Sequence, residues 1–354
     1  MVELRRLGLA VLALAGAAAC ARGGSPVPPG SLGWEPQASG TTASLRGISV
    51  VSADVAWASG SGGTFLRTTD GGRTWRADTV PGATGLDFRD VHAADATTAY
   101  LMSAGDGALS RIYKTTDGGR SWTLQLTLSQ GFLDGMAFRD ARRGIALSDP
   151  VDGRFLVLAT EDGGGAWRPL PPEGLPPALP GEAAFAASGT GIAVSGDNVW
   201  FGTGAGAQAR VFRSADAGRT WTVTTLPMAG GSQGAGVFSL AFVDARRGVA
   251  VGGDFETPDD PTGNAARTED GGRTWIAVAG AAPRGYRSGV AHVPGTAPPL
   301  LVAVGTSGSD YSTDFGESWS PIDTVGYNAV AAAGPDAVWA VGPRGSVARL
   351  RRGG

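Results

Sequence analysis

The octet TTDGGRTW (Thr68 to Trp75) returns as TTDGGRSW (Thr115 to Trp122), TEDGGGAW (Thr160 to Trp167), SADAGRTW (Ser214 to Trp221), TEDGGRTW (Thr268 to Trp275) and STDFGESW (Ser312 to Trp319). Its aspartates, Asp70, Asp117, Asp162, Asp216, Asp270 and Asp314, lie 47, 45, 54, 54 and 44 residues apart, the period of a four-stranded propeller blade. The octet has the chemistry of a hairpin turn. Its Asp accepts backbone N–H groups, the glycine two places on tolerates positive φ, and the Ser or Thr hydroxyl ties one end. The Trp then covers the hairpin, with its indole N–H expected to meet an acceptor. A calcium loop would need oxygen ligands at alternate positions and a late Glu, which the octet lacks. The six aspartates are therefore expected to be structural. The third copy, with Ala166 in place of the second hydroxyl residue, is expected to make a looser turn.

The pattern Ser/Thr-x-Asp-x-Gly-x-Ser/Thr-Trp resembles the Asp-box, or BNR, repeat of sialidases, xyloglucanases, sortilin-type receptors and photosystem II stability/assembly factors. Stretches such as EAAFAAS (Glu182 to Ser188), NVWFGTG (Asn198 to Gly204), GYRSGVA (Gly285 to Ala291) and VGTSGSDYSTD (Val304 to Asp314) are most similar to the bacterial assembly factor-like group. The resemblance implies a β-propeller and an assembly or stability role. Two strand-like runs and then a third precede each octet, which leads into a fourth. After the last octet come three more, YNAVAAA, AVWAVG and SVARL, without a fourth. The missing strand stands at the other end, in LGWEPQAS (Leu32 to Ser39), where Trp34 takes an octet Trp's place. The expected fold is all-β: a single seven-bladed β-propeller over residues 32–354, closed by the N-terminal strand, which removes an open edge.

Glycine is abundant, at 58 residues, yet 42% of the chain is hydrophobic, too much for a disordered chain. With 17% charged residues and a net charge of -3, no field recruits nucleic acid. The opening MVELRRLGLAVLALAGAAAC has a basic start and an apolar run too short to span a bilayer, ending on small residues. Its AAAC resembles a lipoprotein processing site. Residues 1–20 are thus expected to be a signal peptide, Cys20 the lipidated residue and 21–31 a flexible tether holding a monomer to the cell envelope. Cys20 is the only cysteine, so no disulfide forms within the chain.

Strands alternate in direction within a blade, so the loops joining strands two and three, and those between blades, share the face opposite the octets. Long loops on that face mark it for binding. Aligning the inner strands places Arg46, Thr84, Asp134, Glu182, Ser288 and Asn328 at the channel mouth, with Arg287 one step away. Around them Asp106, Asp149, Asp197, Asp254 and Asp310 recur in the loops between strands two and three, with Arg154, Arg210 and Arg344 interspersed. Trp200, Phe201, Phe255 and Tyr286 are the expected apolar anchors, and Tyr286 with Arg287 the leading pair. Such a mouth suits a protein, peptide or glycan partner.

Catalysis is the alternative. A sialidase would draw on Arg46, Arg287, Arg344, Tyr286 and Glu182, yet the family's Arg-Ile-Pro signature is replaced by LRGISV. An inverting glycosidase would need two carboxylates flanking a cleft, for which Asp134 and Glu182 are the candidates, with Tyr286 beside them. GTGAGA (Gly202 to Ala207) has dinucleotide-motif spacing but leads into a strand, not a helix, and His92 and His292 are too few for a metal cluster. No cofactor and no metal is expected.

Overall fold

The computed structural model describes residues 32–352; the expected signal peptide, Cys20 and the tether lie outside them. Those residues fold into seven four-stranded antiparallel sheets. Blade 1 runs through Leu45–Val50, Ala56–Gly60, Thr64–Thr68 and Arg76–Thr79, and blade 2 through Asp87–Ala93, Ala99–Ala104, Arg111–Thr115 and Thr123–Thr127. Blade 3 has Leu133–Phe138, Gly144–Val151, Arg154–Thr160 and Arg168–Pro169; blade 4 has Ile192–Ser195, Asn198–Thr203, Arg210–Ser214 and Thr222–Thr225. Blade 5 is Ala235–Phe242, Gly248–Asp254, Ala265–Thr268 and Ile276–Ala277, and blade 6 is Gly289–Val293, Leu300–Gly305, Gly308–Ser312 and Ser320–Asp323. Blade 7 takes Ala329–Gly334, Ala337–Val341 and Val347–Arg352 from the C-terminal end and its outer strand, Leu32–Gln37, from the other. The ring closes as the sequence predicts, with Trp34 opposite Leu350 in an antiparallel ladder. The Trp34 indole donates to Ser309 Oγ at 2.8 Å and packs 5.3 Å from the Tyr327 ring. Gln37 Oε1 accepts from both Trp75 Nε1, at 2.9 Å, and Trp339 Nε1, at 3.0 Å.

Each octet turn is built as its residue types dictate. In the first, Asp70 Oδ1 accepts the Thr74 N–H at 2.9 Å, Oδ2 accepts the Thr74 hydroxyl at 2.6 Å, and Thr68 Oγ1 accepts the Gly72 N–H at 2.9 Å. These donors, the Thr74 hydroxyl first, pull the Asp70 carboxyl down to about 2. The third octet keeps the backbone bond, Ala166 N–H to Asp162 Oδ1 at 3.0 Å, and loses only the hydroxyl contact. Ala166→Thr should restore it and raise the melting temperature by roughly one or two degrees in calorimetry. The indoles depart from expectation. Among the described residues, Trp122, Trp167, Trp275 and Trp319 bury Nε1 without a partner, so burial of the ring outweighs its polar atom there.

On the octet face, strand two of one blade packs under the next blade's turn. Across the ladder, Trp57 faces Arg67, Tyr100 faces Lys114, Trp200 faces Arg213 and Trp339 faces Arg349. Blades 5 and 6 keep one half of the pair, with Val249 facing Arg267 and Val302 facing Tyr311. These side chains satisfy octet carbonyls: Arg67 donates to Gly118, Tyr100 and Lys114 to Gly163, Trp200 to Gly271, and Arg349 to Gly71.

The innermost position of the inner strands is small: Gly47, Gly135, Ser239, Gly289 and Ala329 face one axis, with Gly191 bonded to Gly202 at the same level of blade 4. A Cβ at Gly47 would stand 2.6 Å from Ser59 Oγ, so bulk is excluded there. Blade 2 has Asp90 at this level, opposite Met102. Its carboxylate accepts the Met136 N–H of blade 3 at 2.7 Å, as Ser239 Oγ accepts the Val290 N–H of blade 6 at 2.9 Å.

Candidate functional site

Opposite the octets the channel opens into a cavity of about 340 Å³ lined in part by Arg46, Arg89, Phe185, Phe238, Tyr286 and Asn328. Three of these occupy β-bulges. Register slips between Leu45 and Gly47, between Phe88 and Asp90, and between Val237 and Ser239, leaving Arg46, Arg89 and Phe238 as the extra residues. A bulge re-aims its side chain out of the alternating pattern, here toward the mouth. Phe185 stacks on Phe238 at 3.8 Å, Tyr286 meets Phe238 edge-on at 4.8 Å, and Phe255 stands 48% exposed at the rim. The Asn328 amide donates to the Leu45 carbonyl at 2.7 Å and Ser288 Oγ to the Asn328 carbonyl at 2.7 Å, fixing the wall.

The two cations differ in what holds them. Arg89 is engaged, donating to Asp87 at 2.6 Å and to the Ala186 carbonyl at 3.1 Å. Arg46 Nε is buried with no hydrogen-bond partner among the described residues. Burial, and then the like charge of Arg89, lowers the Arg46 guanidinium from its ordinary value. An arginine remains charged even so; the Asp87 carboxylate bonded to Arg89 offsets part of the shift, and no carboxylate lines the cavity itself. The Tyr286 hydroxyl is pushed up by burial, which keeps it neutral.

Several residues marked from the sequence lie elsewhere. Glu182 is sealed in the wall: its carboxylate pairs with Arg210, accepts the Arg210 Nε–H at 2.8 Å, and takes further bonds from Thr203 and the Leu179 N–H. Arg287 is likewise buried against Asp310, with its Nε 2.7 Å away, and also bonds the Tyr286 carbonyl and Ser307. Blades 4 and 6 thus hold the same inner pair with the charges exchanged. Asp134 also occupies a bulge, but Ala184 and Phe185 roof it over. Its Oδ2 is buried without a partner, and burial with the nearby Asp149 charge raises it well above the usual carboxylate range. Asp149, pushed up to about 6 first by burial, accepts the Ala184 N–H at 2.9 Å.

Trp200 is not a surface anchor. It is fully buried between blades 4 and 5, as Phe201 is in the core. Asp197 falls on the octet face, in the loop joining strands one and two of blade 4, where it pairs with Arg139. Asp254 caps its own loop, accepting from Ser232 Oγ at 2.6 Å and the Glu256 N–H at 2.9 Å, and Arg154 bonds the Leu175 carbonyl. Thr84 is an exposed loop residue. Arg89 and Phe238 were missed because a simple two-residue alternation does not show a bulge, and Phe185 because it lies on the segment ahead of blade 4's inner strand. GTGAGA runs from a strand into a loop and another strand. His92 stacks on Phe138 at 4.7 Å and is pushed down to about 4 by burial.

The BNR/Asp-box repeat model matches residues 310–321. No curated protein sequence matches the chain. Among solved structures, one described as YCF48 bound to D1 peptide is 18% identical, with a TM-score of 0.63 over 93% of this chain and 99% of that one. YCF48 from Cyanidioschyzon merolae is 17% identical, with a TM-score of 0.59 over 90% and 98%. An ancestral GH74 enzyme is 14% identical, with a TM-score of 0.60 over 89% of this chain and 46% of that one. The described chain is a seven-bladed Asp-box β-propeller.

Proposed function

We propose that the ring is a non-catalytic scaffold that binds a peptide segment of a partner protein at the channel mouth. The reading rests on Arg46, a cation with a buried, unpartnered N–H group in an aromatic-walled cavity. A carboxylate would satisfy the guanidinium with charge-assisted bonds, while Phe185, Phe238 and Tyr286 would cover an adjoining apolar side chain. A chain end or an acidic side chain beside a hydrophobic residue combines both features. The solved YCF48 structure described with a D1 peptide supports peptide binding by a ring of this shape. We further propose that Cys20 anchors the ring to a bacterial envelope, where it acts as an assembly or stability factor; a glycan partner is the less suited ligand, since the lining offers few polar groups.

The glycosidase alternative places its chemistry on Asp134, Glu182 and Tyr286. Glu182 is locked to Arg210, Asp134 lies under Phe185, and the Tyr286 hydroxyl is held neutral. A fluorogenic sugar panel should therefore remain unhydrolysed, and turnover abolished by Glu182→Gln would reverse this reading.

Binding is tested with a library of short peptides ending in apolar residues, each as free acid and as amide. Free acids should bind at least tenfold more tightly, on the order of one charge-assisted hydrogen bond. Arg46→Ala should erase that preference while leaving the melting temperature within roughly two degrees. Equal binding of acid and amide, or an unaffected Arg46→Ala variant, would exclude this site.

A further inference from the structure

One junction on the octet face lacks what all the others contain. Blade 3 places Ile145 opposite Ala159, supplying neither the ring nor the cation of the neighbouring blades. Blade 4 contributes Val194 where the adjoining junctions stack a phenylalanine: Phe138 lies on Tyr100 at 4.2 Å, and Phe242 on Trp200 at 3.8 Å. The aliphatic replacements leave a cavity of about 360 Å³ between blades 3 and 4, with Ile145, Ala159, Val194 and Ala217 in its lining. Ala217 occupies the octet place of Gly163 and Gly271, whose carbonyls accept from Tyr100 and Trp200. Among the described residues no hydrogen bond ends on the Ala217 carbonyl.

We infer that this cavity binds an aromatic ring carrying an N–H or O–H donor, of the indole or phenol type, with the donor directed to the Ala217 carbonyl. The ring's neighbours specify the ligand. At the flanking junctions the same space is filled by a tyrosine and a tryptophan held in this way, and both aromatic positions are aliphatic here. Its size lies in the range of small-molecule sites, and an unaccepted carbonyl beside the aliphatic side chains of Ile145, Val194 and Ala159 selects for a donor over a bare hydrocarbon. The Arg139–Asp197 pair, with Arg143, Glu161 and Arg219, makes up the charged part of the lining. The site faces away from the channel mouth, so it stands or falls independently of the peptide-binding reading.

The test is titration of the intact ring with indole and with 1-methylindole, which keeps the ring and removes the donor, followed by chemical-shift changes and calorimetry. Indole should bind at least tenfold more tightly than 1-methylindole. Ile145→Trp, installing the residue that blade 4 uses, should abolish binding and raise the melting temperature by several degrees. Ala159→Lys, copying Lys114, should also block the cavity, and carries the same test should Ile145→Trp not fold. Absence of indole binding to the unaltered ring, equal affinity for the two indoles, or binding that survives in the folded variants would each overturn the assignment.

Discussion

A chain starting at Ala38 should melt roughly 7 °C below one starting at Leu32, and a peptide of residues 32–37 added in excess should restore most of the loss. The strand it lacks carries more than its own ladder. Trp34 packs on Tyr327 and bonds Ser309 in blade 6, and removal of a large aromatic side chain costs about 3 kcal/mol. Gln37 accepts from two buried tryptophans, each bond contributing about 1 kcal/mol. A loss of ~5 kcal/mol moves the midpoint of a protein this size by the stated interval, and an exposed edge should add aggregation. Differential scanning calorimetry with and without the peptide measures both. An unchanged midpoint would mean that the ring does not depend on this closure.

Asp90→Asn should stabilise the ring at pH 8, by up to ~4 kcal/mol, and leave it nearly unchanged at pH 4. The Asp90 carboxyl, 5% exposed on the inner strand of blade 2, is pushed up to about 7, chiefly by burial and against the pull of the Met136 N–H. Its folded value lies above the unfolded one, so its stabilisation is complete below about pH 4 and is lost as pH rises through 7. A rise of about three units corresponds to ~4 kcal/mol, and asparagine keeps an acceptor for Met136 without the charge. Asp149 has the same sign over a narrower range. His92 has the opposite sign: held at about 4, it gives stability above its unfolded value near 6.5 that is lost as pH falls toward 4. The unaltered protein therefore has a flattened profile, and the informative quantity is the difference between variant and parent. Denaturant melts from pH 4 to 8 should show that difference growing through 7 and then levelling off. A constant difference would mean that Asp90 does not titrate in this window.

The blade count was readable because the octet is a local device. Asp70 reaches Thr74 and Thr68 within one turn, so the same letters make the same turn wherever they occur. The mouth was readable only in part. Arg46, Tyr286 and Asn328 converge as their positions along the inner strands suggest, whereas Glu182 and Arg287 were placed at the same level and turned inward. Their partners, Arg210 and Asp310, stand on third strands more than twenty residues away, and no spacing rule pairs them. Asp197 and Trp200 were misplaced for another reason. Residues 186–190 reach Arg89, Ser288 and Ser239 of blades 2, 6 and 5 before blade 4's inner strand begins at Ile192, so that blade's strands start later than a regular period implies. Asp90 was visible in hindsight as the only acid at a level otherwise held by glycine, alanine and serine.

The ladder that seals blade 7 sets Glu35 opposite Arg349, and the Arg351 side chain reaches the Glu35 carboxylate from 316 positions away. During synthesis, then, the earliest of the described strands is the last to find its neighbour, and six blades are made before the seam can form. Until that moment Leu32–Gln37 lacks the partner it takes from Val347–Arg352. Such an edge leaves the nascent ring prone to aggregation until the chain is complete.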